Sequence, residues 1–215
     1  MSTTSSARAG RGRRSARPSG DDREAAILAT AEQLLEERNF GDISVDDLAR
    51  GAGLSRPTFY FYFPSKEAVL LALMDRVVAE ADRKADEALG GRDDAREDPA
   101  GVWRGINALF DTFGAHRAVT LAGASARGNV PALQSMWSTF MEKWIDHTTA
   151  SIQTERDRGA APITIPARDL AISLNLMNER TMFAAFADES AAIPADRMVD
   201  TLAHIWVSSI YGGRA

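Results

Sequence analysis

From Ser55 to Lys66 the chain reads Ser-Arg-Pro-Thr-Phe-Tyr-Phe-Tyr-Phe-Pro-Ser-Lys. Hydroxyls, a guanidinium, two phenols and an ammonium crowd into this short stretch, and all of them suit the gripping of an anion. Lys66 and the backbone N–H groups that follow Ser65 would set a cation beside a helix N-terminus, a natural clamp for a phosphate. Arg56 has the reach for a guanine edge or a phosphate, and Thr58 for a thymine methyl. The rigid phenol of Tyr60 suits a phosphate oxygen, and Tyr62 offers a second hydroxyl. Phosphate contacts position a protein on a duplex and base contacts specify the sequence, so one stretch holds residues of both kinds.

A second set of residues is apolar, with polar atoms placed sparingly. Trp137, Met141, Trp144 and Thr148 follow at spacings of four, three and four, which puts them on one helix face. Trp103, Ile106, Phe110 and Phe113 repeat the pattern, and Trp206 lies in a third apolar segment. Such stripes ordinarily build a core. Asn175 and Asn178, however, stand three apart within the otherwise apolar "LAISLNLMNERTMF". A buried amide left unsatisfied costs roughly 1–3 kcal/mol, so each needs a ligand carbonyl or ether, another side chain, or a water. A mostly apolar cleft with a few placed polar groups is also the make-up of small-molecule pockets.

Catalysis finds no support. His116, His147 and His204 are scattered, and no Ser-His-Asp grouping, phosphate loop or HExxH appears. Asp46-Asp47 and Asp93-Asp94 read as a helix cap and a solvated linker. With no cysteine there is no disulfide, thiol nucleophile or thiolate metal site, which fits a reducing cytoplasm. No metal, cofactor or membrane span is expected, since no apolar run approaches the roughly 20 residues a bilayer requires. The net charge of −5 gives no general attraction to nucleic acid. Its placement does: residues 1–20 carry five arginines and no acid, a low-complexity basic arm unable to bury a core.

The elements that must position these residues read as helices between caps. Asp22–Arg38 sets Ile27, Leu28, Ala31, Leu34 and Leu35 on one face. Ser44, with Asp47 three residues on, caps a short helix closed by Gly51 and Gly53. Taken alone, Phe59 to Phe63 alternates like a half-buried strand, but no other segment offers a strand partner and a lone strand is unstable. A short helix capped by Ser55, with Pro57 in its first turn, is the better reading, and it turns Phe59 and Phe63 inward. After Ser65 a long amphipathic helix runs to Ala88, followed by a charged linker. Further helices span Pro99–Phe113 with Gly114 as the stop, Arg117–Ala126, and Pro131 to about Arg158. The last two are Pro166–Ala187 and Pro194–Tyr211. The fold class is all-α, with about nine helices. Two short helices joined by "GAGLS" have helix-turn-helix spacing, whose second helix enters a major groove.

"ISVDDLARGAGLSRPTFYFYFPSKEAVLLAL" closely resembles the N-terminal domain of TetR-type transcriptional repressors. The stretches "WSTFMEKWI", "ERDRGAAP", "LNLMNERT" and "HIWVSSIYG" resemble the ethionamide-resistance repressors, a branch of that family, so the likeness covers nearly all of the chain after Arg13. The resemblance implies a basic arm over 1–20, a three-helix DNA-binding head over 21–64, and a ligand-binding and dimerisation domain over 65–215. It implies DNA contacts from Arg13, Arg14, Ser44, Ser55, Arg56, Pro57, Thr58, Tyr60, Phe61, Tyr62 and Lys66. It also implies an elongated apolar channel lined by Trp103, Ile106, Leu109, Phe113, Trp137, Met141, Trp144, Thr148, Asn175, Asn178, Phe183 and Trp206. Leu109 stands where the branch carries Phe, and His147 where it carries Tyr.

The expected function is that of a cytoplasmic repressor, not an enzyme. It would bind a palindromic operator as a homodimer paired through its last two helices. A hydrophobic small molecule would release it, and its target would be a neighbouring monooxygenase gene. The alternative is a helix-turn-helix DNA-binding protein with a filled core and no inducer.

Overall fold

The computed structural model describes residues 19–90 and 99–212; Arg13, Arg14 and the other arginines of the basic arm lie outside them, as do linker residues 91–98, while Ser19 and Gly20 of the expected arm belong to the start of the first helix. The described residues form nine α-helices and one 3₁₀ turn, with no strand, so the all-α expectation holds. Helix α1 spans Gly20–Glu37, starting two residues ahead of the expected Asp22. The reason is a capping box: Ser19 Oγ accepts from the Asp22 N–H at 3.1 Å while the Asp22 carboxylate accepts from the Ser19 N–H at 2.8 Å. A 3₁₀ turn, Phe40–Asp42, follows and was not foreseen.

Helix α2, Val45–Gly51, has the expected box between Ser44 and Asp47. Hydrogen bonds from the Ser44 hydroxyl and backbone hold the Asp47 carboxyl below the usual carboxylate range. Helix α3, Arg56–Tyr62, is the aromatic run, capped by Ser55 with a proline in its first turn. Phe59 is fully buried and Phe63 nearly so, as the i,i+4 spacing required. Helix α4, Lys66–Ala88, is capped by Ser65.

The remaining helices are α5 (Pro99–Ala115), α6 (Arg117–Ala126), α7 (Pro131–Asp157), α8 (Ala167–Phe186) and α9 (Ala195–Tyr211). Gly114, expected to stop α5, lies inside it. A Cβ there would sit 3.2 Å from Phe186 Cε1, and Phe110 one turn earlier stacks on the same ring at 5.2 Å. That glycine therefore serves the close approach of α5 to α8, and the chain turns after Ala115 instead.

Head and body share one apolar core. Ile27, Leu28, Ala31, Leu48 and Phe59 pack with Val69, Leu70 and Leu73 at the start of α4, and Val77, Ala81 and Ala85 continue the cluster into the body. Helix α4 thus belongs to both.

The two glycines at the end of α2 have different tasks. Gly53 adopts φ +68°, the left-handed turn between α2 and α3. Gly51 is helical, and a Cβ on it would lie 2.3 Å from Thr30 Cγ2 of α1. Thr30 is β-branched and its hydroxyl donates to Ala26 O at 2.8 Å, so it has little freedom to yield. Gly51→Ala should destabilise the protein by about 1–3 kcal/mol in urea unfolding. Gly41→Ala, where a Cβ meets nothing within 4 Å, should stay close to the parent in the same assay.

Candidate DNA-binding surface and ligand cavity

Helix α3 turns its outer face to solvent, with Tyr60 44% and Phe61 83% exposed. Pro57 is exposed on its first turn and Tyr62 is half-buried. Several expected DNA-contacting groups are engaged within the head. Ser44 Oγ donates to Asp47 at 2.7 Å, and Ser55 Oγ shares a 2.8 Å hydrogen bond with Thr58 Oγ1. Arg56 donates to Asp46 of α2 at 2.9 Å and to the Tyr60 hydroxyl at 3.3 Å. The Tyr60 phenol and the Asp46 carboxylate together raise the guanidinium pKa above its ordinary value. Arg56 is therefore held splayed across the α2–α3 junction, and Tyr60 keeps its own O–H proton for an outside acceptor.

Lys66 is not the free phosphate clamp that its position suggested. Its ammonium donates to the carbonyls of Phe40, Gly41 and Ile43 at 2.9, 3.1 and 2.7 Å, and lies 4.7 Å from the centre of the Phe40 ring. An ammonium has three N–H bonds, and all three are used. The unforeseen 3₁₀ turn is what presents those carbonyls. Lys66 therefore staples the start of α4 to the turn between α1 and α2, and only the N–H groups of the α4 terminus remain from the expected clamp.

In the body, α4, α5, α6, α7 and α8 enclose a cavity of about 70 Å³. Of the expected lining, Leu109, Phe113, Trp137, Met141, Trp144, Asn175, Asn178 and Phe183 face it. Four expected residues do not. Trp103 is 40% exposed and donates its indole N–H to Asp200 of α9 at 2.7 Å. Ile106 is buried away from the cavity. Thr148 and Trp206 stand behind it, holding the two amides. Reasoning from the sequence missed Phe140, which continues the Trp137 stripe at i+3 and was findable by spacing. It also missed Arg127 and Glu179, for which an apolar pattern gives no signal.

Polar groups around the cavity are pinned. The Trp206 N–H can only donate, so its 2.9 Å bond fixes Asn178 Oδ1 toward it and leaves Asn178 Nδ2 as the donor for the cavity. Ala171 O can only accept, so Asn175 Nδ2 points there at 2.9 Å and to Thr148 Oγ1 at 3.1 Å, leaving Oδ1 as an acceptor. Protein partners thus satisfy half of each amide. Glu179 accepts from Arg127 at 2.7 Å and from the Trp137 N–H at 2.9 Å, while the Arg127 guanidinium lies 4.8 Å from the Trp137 ring centre. The aromatic wall is continuous: Phe140 meets Phe113, Trp137 and Trp144 at 5.8, 5.2 and 6.4 Å between ring centres.

A capped three-helix head with an exposed aromatic second helix in its helix-turn-helix, joined by one long helix to an all-helical body, is the make-up of a DNA-binding regulator. Residues 27–73 match the family described as bacterial regulatory proteins, tetR family, and residues 102–212 match the C-terminal domain of transcriptional regulator EthR. The chain belongs to the TetR family of transcriptional regulators, and its body to the EthR branch. It is 62% identical to the HTH-type transcriptional regulator EthR of Mycobacterium tuberculosis over 99% of both chains. Against EthR of Mycolicibacterium smegmatis it is 58% identical, over 99% of this chain and 97% of that one. Among solved structures, a transcriptional regulator from Saccharomonospora viridis in complex with choline has the same fold, with TM-score 0.71 at 22% identity over 87% of this chain and 96% of that one. The chain is therefore a transcriptional regulator and not an enzyme.

The Lys66 staple makes a clear prediction. Lys66→Ala should lower the unfolding temperature and weaken DNA binding by loosening the head. It should leave the slope of log affinity against log salt unchanged, because no phosphate contact is removed. A slope about one unit flatter in the salt titration would instead restore Lys66 as a phosphate ligand.

Proposed function

We propose that this chain is a ligand-responsive repressor that binds a palindromic operator as a homodimer in the cytoplasm and leaves it when an apolar small molecule enters the body. The observation that carries this reading is the cavity with its two pinned amides. Apolar walls surround one free donor, Asn178 Nδ2, and one free acceptor, Asn175 Oδ1, three residues apart on α8. That pair complements a secondary amide, whose carbonyl accepts and whose N–H donates, on an otherwise apolar ligand. Ligand pockets ordinarily span about 300–1,000 Å³, so the cavity must widen to accept one. A ligand acts only through its different affinity for two states, and widening supplies the difference. Full reversal of occupancy from 99:1 to 1:99 requires about 5.5 kcal/mol.

Pairing would use α8 and α9, where Leu176 stands 51% exposed on an outer face. Two heads on one palindrome must present their α3 helices about 34–36 Å apart, or a multiple of that. Tyr60 and Phe61 would meet the DNA first, with Arg13 and Arg14 of the basic arm adding phosphate or minor-groove contacts. The target would be a neighbouring monooxygenase gene, as the resemblance implies; footprinting on the chain's own upstream region tests this directly.

One observation favours the second reading, a DNA-binding protein without an inducer. At about 70 Å³ the cavity falls below the usual size of a ligand pocket. Two variants separate the readings in gel-shift titrations. Leu109→Trp fills the cavity and should lower operator affinity without any compound. Asn178→Leu should abolish the response to an apolar amide, and by orphaning the Trp206 N–H it should also cost about 1–3 kcal/mol in unfolding. Parental DNA binding by Leu109→Trp, with no apolar amide able to release the parent, would leave the second reading standing.

A further inference from the structure

We infer that Trp144 and Asp82 form a latch that couples the cavity wall to the helix carrying the DNA-binding head. Trp144 lines the cavity from α7 and is 6% exposed. Its indole N–H donates to Asp82 Oδ1 of α4 at 3.0 Å, across 62 residues of sequence. The other oxygen of that carboxylate accepts from Lys143 Nζ at 2.8 Å, and the same ammonium lies 3.6 Å from Asp86 and 5.0 Å from the Trp144 ring centre. One carboxylate is thus held by the two neighbouring residues of α7, one facing the cavity and one facing solvent.

Three features make this contact a latch rather than ordinary packing. First, Trp144 is the last aromatic of α7 that lines the cavity, set between Phe140 and the His147 ring, so a ligand that spreads the wall moves it. Second, the other cavity indole on α7, that of Trp137, is tied to Glu179 of α8 and not to α4. Met74, the α4 residue that itself lines the cavity, touches it through a flexible thioether seated against Gly123. An apolar contact of that kind slides under displacement, whereas a hydrogen bond to a carboxylate fails within a few tenths of an ångström. Third, α4 is stiff and anchored at its far end. Asp82 lies 16 positions beyond Lys66, about 24 Å along the axis, and Lys66 is stapled to the head. Releasing Asp82 uncouples the body end of α4 from α7, while Arg104 on the Ala88 carbonyl and His116 on Glu80 still tie it to the rest of the body.

The inference rests on the proposed sensing role but is testable apart from it. Full-length parent, Trp144→Phe, Asp82→Ala and the double variant would be compared without ligand by titrating a labelled DNA fragment from the chain's own upstream region. Each single change should raise the Kd about three- to tenfold, and the double no further than the larger single, since one bond is removed by either. Salt slopes should match the parent. Asp82→Asn, which keeps an acceptor for the indole, should recover most of the loss. Amide exchange over residues 79–88 supplies a DNA-free readout and should speed up in both single variants. Strictly additive losses, or parental affinity and exchange in both singles, would overturn the latch. If N-octylbenzamide fails to release the parent while the singles still lose affinity non-additively, the latch stands and the sensing role falls. If the amide releases DNA and the singles behave like the parent, the sensing role stands and the latch falls.

Discussion

Helix α4 has to satisfy two cores at once, and the rest of the molecule follows from that constraint. Its first turns bury Val69, Leu70 and Leu73 under the head, and its later turns bury Val77, Ala81 and Ala85 in the body. A continuous helix of 23 residues cannot bend freely between them, so the orientation of the head is set by how the body holds the helix. Polar contacts fix it at both ends: the Lys66 ammonium on three carbonyls of the head, and Asp82 between Trp144 and Lys143 of the body. Apolar packing supplies most of the stability, while these directional bonds supply the angle.

Close helix approach is bought at a few small residues. Gly51 admits Thr30 of α1, Gly123 admits Met74 of α4, and Gly114 admits Phe186 of α8. Each removes a Cβ where two helices would otherwise stand further apart. The contact at Gly123 also lies on the cavity, so the space available there depends on how closely α4 and α6 pack.

Among the cavity's polar groups, the protein supplies both satisfaction and choice. Had Asn175 and Asn178 been left wholly to a ligand, the unliganded protein would bear two buried orphans. Instead Thr148, Ala171 O and Trp206 each take one side of an amide and thereby dictate which side remains. Glu179 is neutralised by Arg127 and held by Trp137, which keeps a carboxylate at the wall of an apolar space without a net charge.

Local chemistry made the helices legible. Hydroxyl caps at Ser44, Ser55 and Ser65, the inward pair Phe59 and Phe63, and the apolar stripes of α5 and α7 are short-range patterns with a fixed period, so the sequence alone determined the all-α class and most helix bounds. Spacing also put Phe113, Trp137, Met141, Trp144, Asn175 and Asn178 where the cavity is, because a helical stripe names the face that turns inward, while Leu109 and Phe183 were implied by the family resemblance alone. What a stripe cannot say is whether an inward residue meets a cavity, a partner side chain or another helix. Thr148 and Trp206 are buried on inward stripes, and Trp103 was expected on one but is partly exposed; they end on Asn175, Asn178 and Asp200, partners on other helices. Lys66 is the same lesson at the surface: its neighbours in sequence suggested a phosphate, while its carbonyl partners lie 23 to 26 residues earlier. Hydrogen-bond partners separated so widely are chosen by the packing of whole helices, and only the tertiary structure decides them.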